Sequence, residues 1–211
     1  MLYVVSDEGM LYTLTTDGVI KRRKKLGDYD FEGVACDSRR GRLILAIEGD
    51  DDLLIVDRTD FTPLKRITVK RRFQKRKILA KGGNGLEGIT LAPNGTLYLA
   101  NQSNHKYPHA DPSVIVTLPY PHAKKGVITG VIDIQKIDLA GLDWHRGRLY
   151  IVSDKKDRLY RYNPKSRKID LERKLPKFAQ EGVAFDTKGN LYFSDDDGRV
   201  LKSTQKALSI P

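Results

Sequence analysis

The chain has 211 residues, 39% hydrophobic and 31% charged, which excludes a disordered polypeptide and fits one domain able to bury a core. No apolar run approaches the ~20 residues of a membrane-crossing helix, and a single cysteine, Cys36, excludes an internal disulfide. A net charge of +11 favours anionic partners, but without interleaved aromatics nucleic acid is not among those expected.

Strand pattern begins at once. Residues 2–6, 11–15 and 19–25 alternate apolar and polar, divided by Asp7-Glu8-Gly9 and Thr16-Asp17-Gly18. Asp and Gly tolerate the positive φ of tight turns, so each break is a turn with a mechanism. Four strands follow at 31–36, 43–47, 53–57 and 64–69, then a long basic connection over 70–85. The next unit has strands at 87–91 and 96–100, an insertion at 101–112, and outer strands at 113–118 and 130–136. A further four lie at 141–144, 149–153, 158–163 and 168–174, and the last three at 181–186, 191–194 and 199–202.

One phrase recurs through these units: FEGVACD, LEGITLA, LAGLDWH and QEGVAFD, each followed by a strand of the type LYIVSD. Repeated short meanders of about 40–55 residues predict an all-β, five-bladed β-propeller. It is expected as a single domain over 1–211, with repeats near 1–27, 28–81, 82–136, 137–176 and 177–211. Cys36 takes the place of Leu91, Trp144 and Phe185 and is expected to be buried. The first unit has no strand of the EGVAFD type, so either residues 203–211 substitute or the blade is one strand short; an N-terminal extension is expected to be missing. The basic runs 21–25 and 70–77 are expected on outer strands and exit loops, where lysine and arginine discourage edge-to-edge pairing.

The first strand of each propeller blade lines the central channel. That places Glu32, Glu87 and Glu181 at one equivalent innermost position, with Ala140 in the fourth repeat. A second equivalent position follows the second strand: Asp7, Glu48, Gln102, Asp154 and Asp196. Seven carboxylates and one amide thus converge on one opening, where they raise each other's pKa values or recruit cations. Oxygen donors without His or Cys suit Ca²⁺, and Mg²⁺ less well. Glu32, Glu87, Glu181, Asp154 and Asp196 are the expected metal ligands, and Asp7, Glu48, Gln102 and His105 the expected ligand-binding residues. The competing reading makes each Glu-Gly a building element, its carboxylate accepting backbone N–H bonds from a neighbouring blade. His105 and His109 lie in the insertion, His122 and His145 in connections. No nucleophile elbow, Cys/His pair or phosphate loop occurs, so covalent catalysis has no candidate.

FEGVACD, LEGITLAPNGTLYLANQ, LAGLDWHRGRLYIVSD and QEGVAFDTKGNLYFSDD resemble the repeats of the SdiA-regulated family, and more loosely those of esterase-like phytase and gluconolactonase-type propellers. The resemblance implies a binding or active site at the channel mouth and a place in the bacterial envelope, although this chain shows no export signal. The expected function is binding of a divalent cation with a small polar or phosphorylated ligand, extending to metal-assisted ester or phosphoester hydrolysis. The alternative is a non-enzymatic module for a protein, glycan or anionic surface. A monomer is expected, with membrane contact only through a missing anchor or the basic rim.

Overall fold

Short runs rich in Val, Ile, Leu and Tyr, cut by Gly, Asn and Asp turns, favour pleated strands over helices. In the computed structural model, which describes residues 1–82, 85–120 and 125–211, they form a five-bladed β-propeller of antiparallel meanders. Blade 1 comprises β1 (Leu2–Val5), β2 (Met10–Leu14) and β3 (Ile20–Lys25). Blade 2 comprises β4 (Phe31–Asp37), β5 (Arg42–Ile47), β6 (Asp52–Asp57) and β7 (Pro63–Thr68). A two-stranded hairpin, β8 (Arg72–Phe73) with β9 (Arg76–Lys77), follows. Blade 3 is β10 (Leu86–Leu91), β11 (Thr96–Asn101), β12 (Val114–Pro119) and β13 (Gly130–Ile132). Blade 4 is β14 (Leu142–His145), β15 (Arg148–Ser153), β16 (Arg158–Asn163) and β17 (Lys168–Lys174). Blade 5 is β18 (Gln180–Phe185), β19 (Asn190–Asp195) and β20 (Val200–Thr204).

The core lies between blades, not within them. One cluster, with Leu11, Phe31, Leu45 and Phe61, joins blades 1 and 2. A second, with Ile44, Ile55, Ile89 and Val116, joins blades 2 and 3. Tyr98, Ile115, Leu149 and Tyr160 tie blade 3 to blade 4, and Tyr150, Leu171, Val183 and Phe193 tie blade 4 to blade 5. Among the described residues no such cluster joins blade 5 to blade 1.

One expectation needs correction. Cys36 is exposed. Trp144 stacks on Tyr98 at 5.3 Å and Phe185 packs on Tyr150 at 4.5 Å, but the small Cys36 side chain cannot cover its counterpart Tyr3 in the same way. The long basic connection after blade 2 carries a hairpin. Its hairpin turns through Gln74 and Lys75, both at positive φ, and leads into the buried pair Ile78 and Leu79. Of the two alternatives for blade 1, the structure takes the second: residues 203–211 do not complete it. Ile210 and Leu208 pack with Leu171, Leu175 and Phe193, and the Arg173 guanidinium donates to the carbonyls of Leu208 and Ser209. The tail therefore wedges between blades 4 and 5, and blade 1 stays one strand short.

The register fixes where the site lies. Leu86 opposes Asn101, so the start of an innermost strand sits beside the end of the next strand outward. The first residues of β4, β10 and β18 and the turns after β1, β5, β11, β15 and β19 consequently share one mouth.

Candidate functional site

Glu32, Glu87 and Glu181 are the second residues of β4, β10 and β18. Asp30 precedes β4 and Glu48 follows β5, and the Glu48 N–H donates to the Asp30 carbonyl at 2.9 Å. This turn gathers one carboxylate oxygen each of Asp30, Glu32 and Glu48 within 4.8 Å of one another. Glu87, 6% exposed, shares a side-chain hydrogen bond with Glu32. Burial, then the Glu32 charge, drives the Glu87 pKa far above the carboxylate range, so Glu87 is the protonated partner and donates to Glu32. Burial and a hydrogen bond to Asp30 raise Glu48, and the same causes outweigh the Glu87 contact at Glu32.

The remaining acids face this group across the mouth. Glu181 is pushed up to about 8, first by burial, then by Asp196, Asp154, Asp138 and Glu32. Asp154 is raised by burial, Asp138 and Asp196; Asp196 is raised by burial, Asp195, Asp197 and Asp7. Burial and like charge thus dominate the environments of the three glutamates. That pattern weighs against the reading in which backbone donors satisfy them.

The expected metal set accordingly divides. Glu32 and Glu87 touch, and the structure adds Asp30 and Glu48 beside them. Glu181, Asp154 and Asp196 form a looser group, with Asp7 beside Asp196. At the lip, the Gln102 N–H donates to the Gly85 carbonyl at 3.2 Å. His105 stands apart: its ring stacks on His109 at 3.8 Å and its backbone N–H donates to Ser103 Oγ. His145 ends β14, not a connection, with its ring 4.2 Å from Phe185. His122 lies outside the described residues.

Three acids escaped the sequence reading. Asp30 and Asp138 each precede the repeated phrase, before Phe31 and Leu139, and that shared place was the available signal. Asp138 is buried, and its Oδ2 accepts from the Lys155 N–H at 2.7 Å and Ser153 Oγ at 3.3 Å, fixing the turn after β15. Asp143 is held up at about 7 by burial, although it accepts the Phe185 N–H at 2.9 Å. Nothing in LAGLDWH marks it, because the other copies carry Ala35, Thr90 and Ala184 there. A groove of about 650 Å³ lined by Phe73, Val131, Tyr162 and Arg167 lies away from all these acids and brings no acidic cluster together.

A family model described as "Esterase-like activity of phytase" matches residues 1–135, the span that carries Asp30, Glu32, Glu48 and Glu87. A second, described as "Strictosidine synthase-like, N-terminal", matches residues 181–203. No curated protein matches the chain in sequence. Among solved structures, the glutaminyl cyclase of Myxococcus xanthus superposes with a TM-score of 0.69 at 12% identity, covering 92% of this chain and 80% of its own. A protein of unknown function from Bacteroides caccae gives 0.57 at 13% identity, covering 97% of this chain and 72% of its own. At such identities the likeness is one of fold.

Proposed function

This chain belongs to the phytase-like family, and from that premise we propose that its acidic mouth binds a divalent cation, Ca²⁺ in preference to Mg²⁺, together with a small polar or phosphorylated ligand whose ester or phosphoester it hydrolyses. The observation that carries this reading is the approach of Asp30, Glu32 and Glu48 within 4.8 Å, on a protein whose net charge is +11. The donor set fits the ion: oxygen only, half open to solvent, and mutually repulsive until a cation enters.

Asp30, Glu32 and Glu48 would hold the cation, and Glu87 orients Glu32 by donating to it. Once bound, the cation supplies Lewis acidity and a water of lowered pKa. Glu181, pushed up to about 8, carries a proton at neutral pH and delivers it to the leaving oxygen. Asp154, Asp196 and Asp138 keep that proton in place by repelling the alternative charge. The SdiA-regulated resemblance rests on the same Glu-Gly units and supports the same mouth.

The test is calorimetric titration of chelator-stripped protein with Ca²⁺, followed by turnover of generic ester and phosphoester substrates. Uptake with proton release, and turnover that chelator abolishes, are expected. Both disappear in the Glu32→Gln/Glu48→Gln variant. Failure of the stripped protein to take up Ca²⁺, or undiminished uptake by the variant, overturns the reading. One observation favours the alternative of an interaction module: every residue of β3, IKRRKK, is exposed. Binding to an anionic surface through this strand is expected to weaken steeply with salt and to ignore chelator.

A further inference from the structure

Blades 3 and 4 enclose a cavity of about 350 Å³ that the acidic mouth does not use. Lys106 reaches it from the insertion after β11, Lys136 from the connection into blade 4, and Lys156, Arg158 and Tyr160 from the turn after β15 and from β16. Glu172 of β17 closes the outer side. The cavity and the mouth share a wall. Ile137 lines the cavity and the next residue, Asp138, stands among the mouth acids; Lys156 lines it two residues after Asp154.

Hydrogen bonds hold these walls in place. Lys155 Nζ donates to Asn104 Oδ1 at 2.5 Å and Gln135 Nε2 donates to the Tyr107 carbonyl at 3.0 Å, so Lys106 is anchored on both sides. Arg158 Nη1 donates to the carbonyls of Lys156 and Asp157, each at 3.2 Å, which fixes the turn that carries Lys156. The one carboxylate in the lining is already saturated: Glu172 Oε1 accepts from Arg158 Nε at 3.2 Å and Oε2 from Lys136 Nζ at 3.0 Å. Four cations against that one carboxylate leave an excess of three positive charges. The Lys106 and Lys156 ammonium groups have no partner among the described residues. Neither does the hydroxyl of Tyr160, a residue only 2% exposed. Burial, then the Glu172 charge, pushes that hydroxyl up to about 12, so it keeps its proton. A buried hydroxyl left without a partner is costly in a folded protein, and a ligand that accepts from it removes the cost.

We propose that this cavity binds a phosphate group between Lys106, Lys156 and the Tyr160 hydroxyl, without a metal. The three free groups are donors, so the ligand must accept, and the excess of positive charge calls for an anion. Their chemistry selects among anions. Two ammonium groups and a hydroxyl, brought in by three separate elements, suit a tetrahedral dianion; a planar carboxylate is better matched by a guanidinium fork, and that of Arg158 is engaged by Glu172 and the turn. The site does not depend on a cation at Asp30, Glu32 and Glu48, which lie in blade 2.

The experiment is calorimetric titration of the full chain with inorganic phosphate, in chelator and at low ionic strength, repeated with glycerol phosphate. Saturable uptake of both is expected, and the tighter of the two tells whether the free ion or a monoester is the better ligand. Tyr160→Phe should bind about tenfold more weakly with an unchanged unfolding temperature, because the lost hydroxyl holds no protein group. Lys106→Gln/Lys156→Gln, which alters two exposed side chains, should lose about a hundredfold. Acetate at the same concentration should not displace phosphate. Should Tyr160→Phe not fold, the lysine pair decides. No saturable uptake by the wild type, undiminished uptake by either folded variant, or displacement by acetate overturns the proposal. Uptake that appears only with Ca²⁺ belongs to the acidic mouth, and overturns this site while supporting that one.

Discussion

Replacing Glu181 by Gln is expected to stabilise the cation-free protein, and to do so only at neutral to alkaline pH. Glu181 titrates near 4.5 when exposed and is pushed up to about 8 in the fold by burial, then Asp196 and Asp154. A folded pKa above the unfolded one means that the folded state keeps its proton longer. Stability is therefore lost as pH rises from about 4.5, and the loss is complete above about 8. The distance between the two values corresponds to about 5 kcal/mol as a ceiling. Solvent in the half-open mouth lowers this to roughly 2–3 kcal/mol. For a domain of this size that is a rise of roughly 4–10 °C in Tm. The assay is thermal unfolding of chelator-treated wild type and Glu181→Gln from pH 5 to 9. The two should nearly coincide at pH 5, diverge up to about pH 8 and run parallel from there to pH 9, with the variant higher. Saturating Ca²⁺ should then reverse the order by stabilising the fully acidic mouth more. A variant that is less stable at every pH would refute the reasoning, because its carboxylate would then be bonded and not frustrated.

Three further outcomes follow from the same geometry. Asp143→Asn keeps an acceptor for the Phe185 N–H and removes a carboxyl held near 7, so it should be close to neutral at pH 5 and stabilising at pH 9 by urea denaturation. Arg71→Ala leaves Asp51, which is 1% exposed, without the guanidinium that pairs it, and should cost about 2–4 kcal/mol in the same assay. Gly88→Ala drives a Cβ to 2.1 Å from the Ala140 carbonyl, where only backbone movement gives relief; a loss of about 3 kcal/mol in the same assay, or insoluble protein, is expected.

The blades were legible because their signal is local. Strand alternation and Gly/Asn/Asp turns recur in register, and the phrase around Glu32, Glu87 and Glu181 marks the innermost strands without any long-range information. The same phrase led to the mouth, since pseudo-symmetry converts equal positions in sequence into neighbours in space. What it did not convey is where the symmetry fails. Asp30 joins Glu32 and Glu48 through one turn that no sister blade copies in full, because blade 3 has Gly85 and blade 5 has Ala179 in that place. Cys36 looked buried by analogy with Trp144 and Phe185, but coverage depends on side-chain size, and a thiol leaves Tyr3 half-exposed. The local contacts of the insertion were not legible either. His105 sits in a loop anchored by Asn101, whose Nδ2 donates to Asp111 and to the Pro112 carbonyl, and that anchoring turns the histidine pair toward each other.

On the proposed function, the contrast between shell and mouth predicts an order of binding. A protein of net charge +11 draws anionic ligands toward its surface from a distance. Within a Debye length of about 8–10 Å, however, the local field governs, and at this mouth it is set by Glu32, Glu48, Asp154 and Asp196. A phosphorylated ligand is therefore attracted to the protein and repelled at the last step. A cation among Asp30, Glu32 and Glu48 reverses that repulsion where it is strongest. On the proposed reading the cation binds first and the anion second, and the apparent affinity for phosphate should rise with Ca²⁺ concentration until the mouth is filled. Reciprocity then requires phosphate to tighten Ca²⁺ binding by the same factor. Two titrations, each run with and without the other ligand, measure that factor independently, and a factor of one in both would remove the shared site.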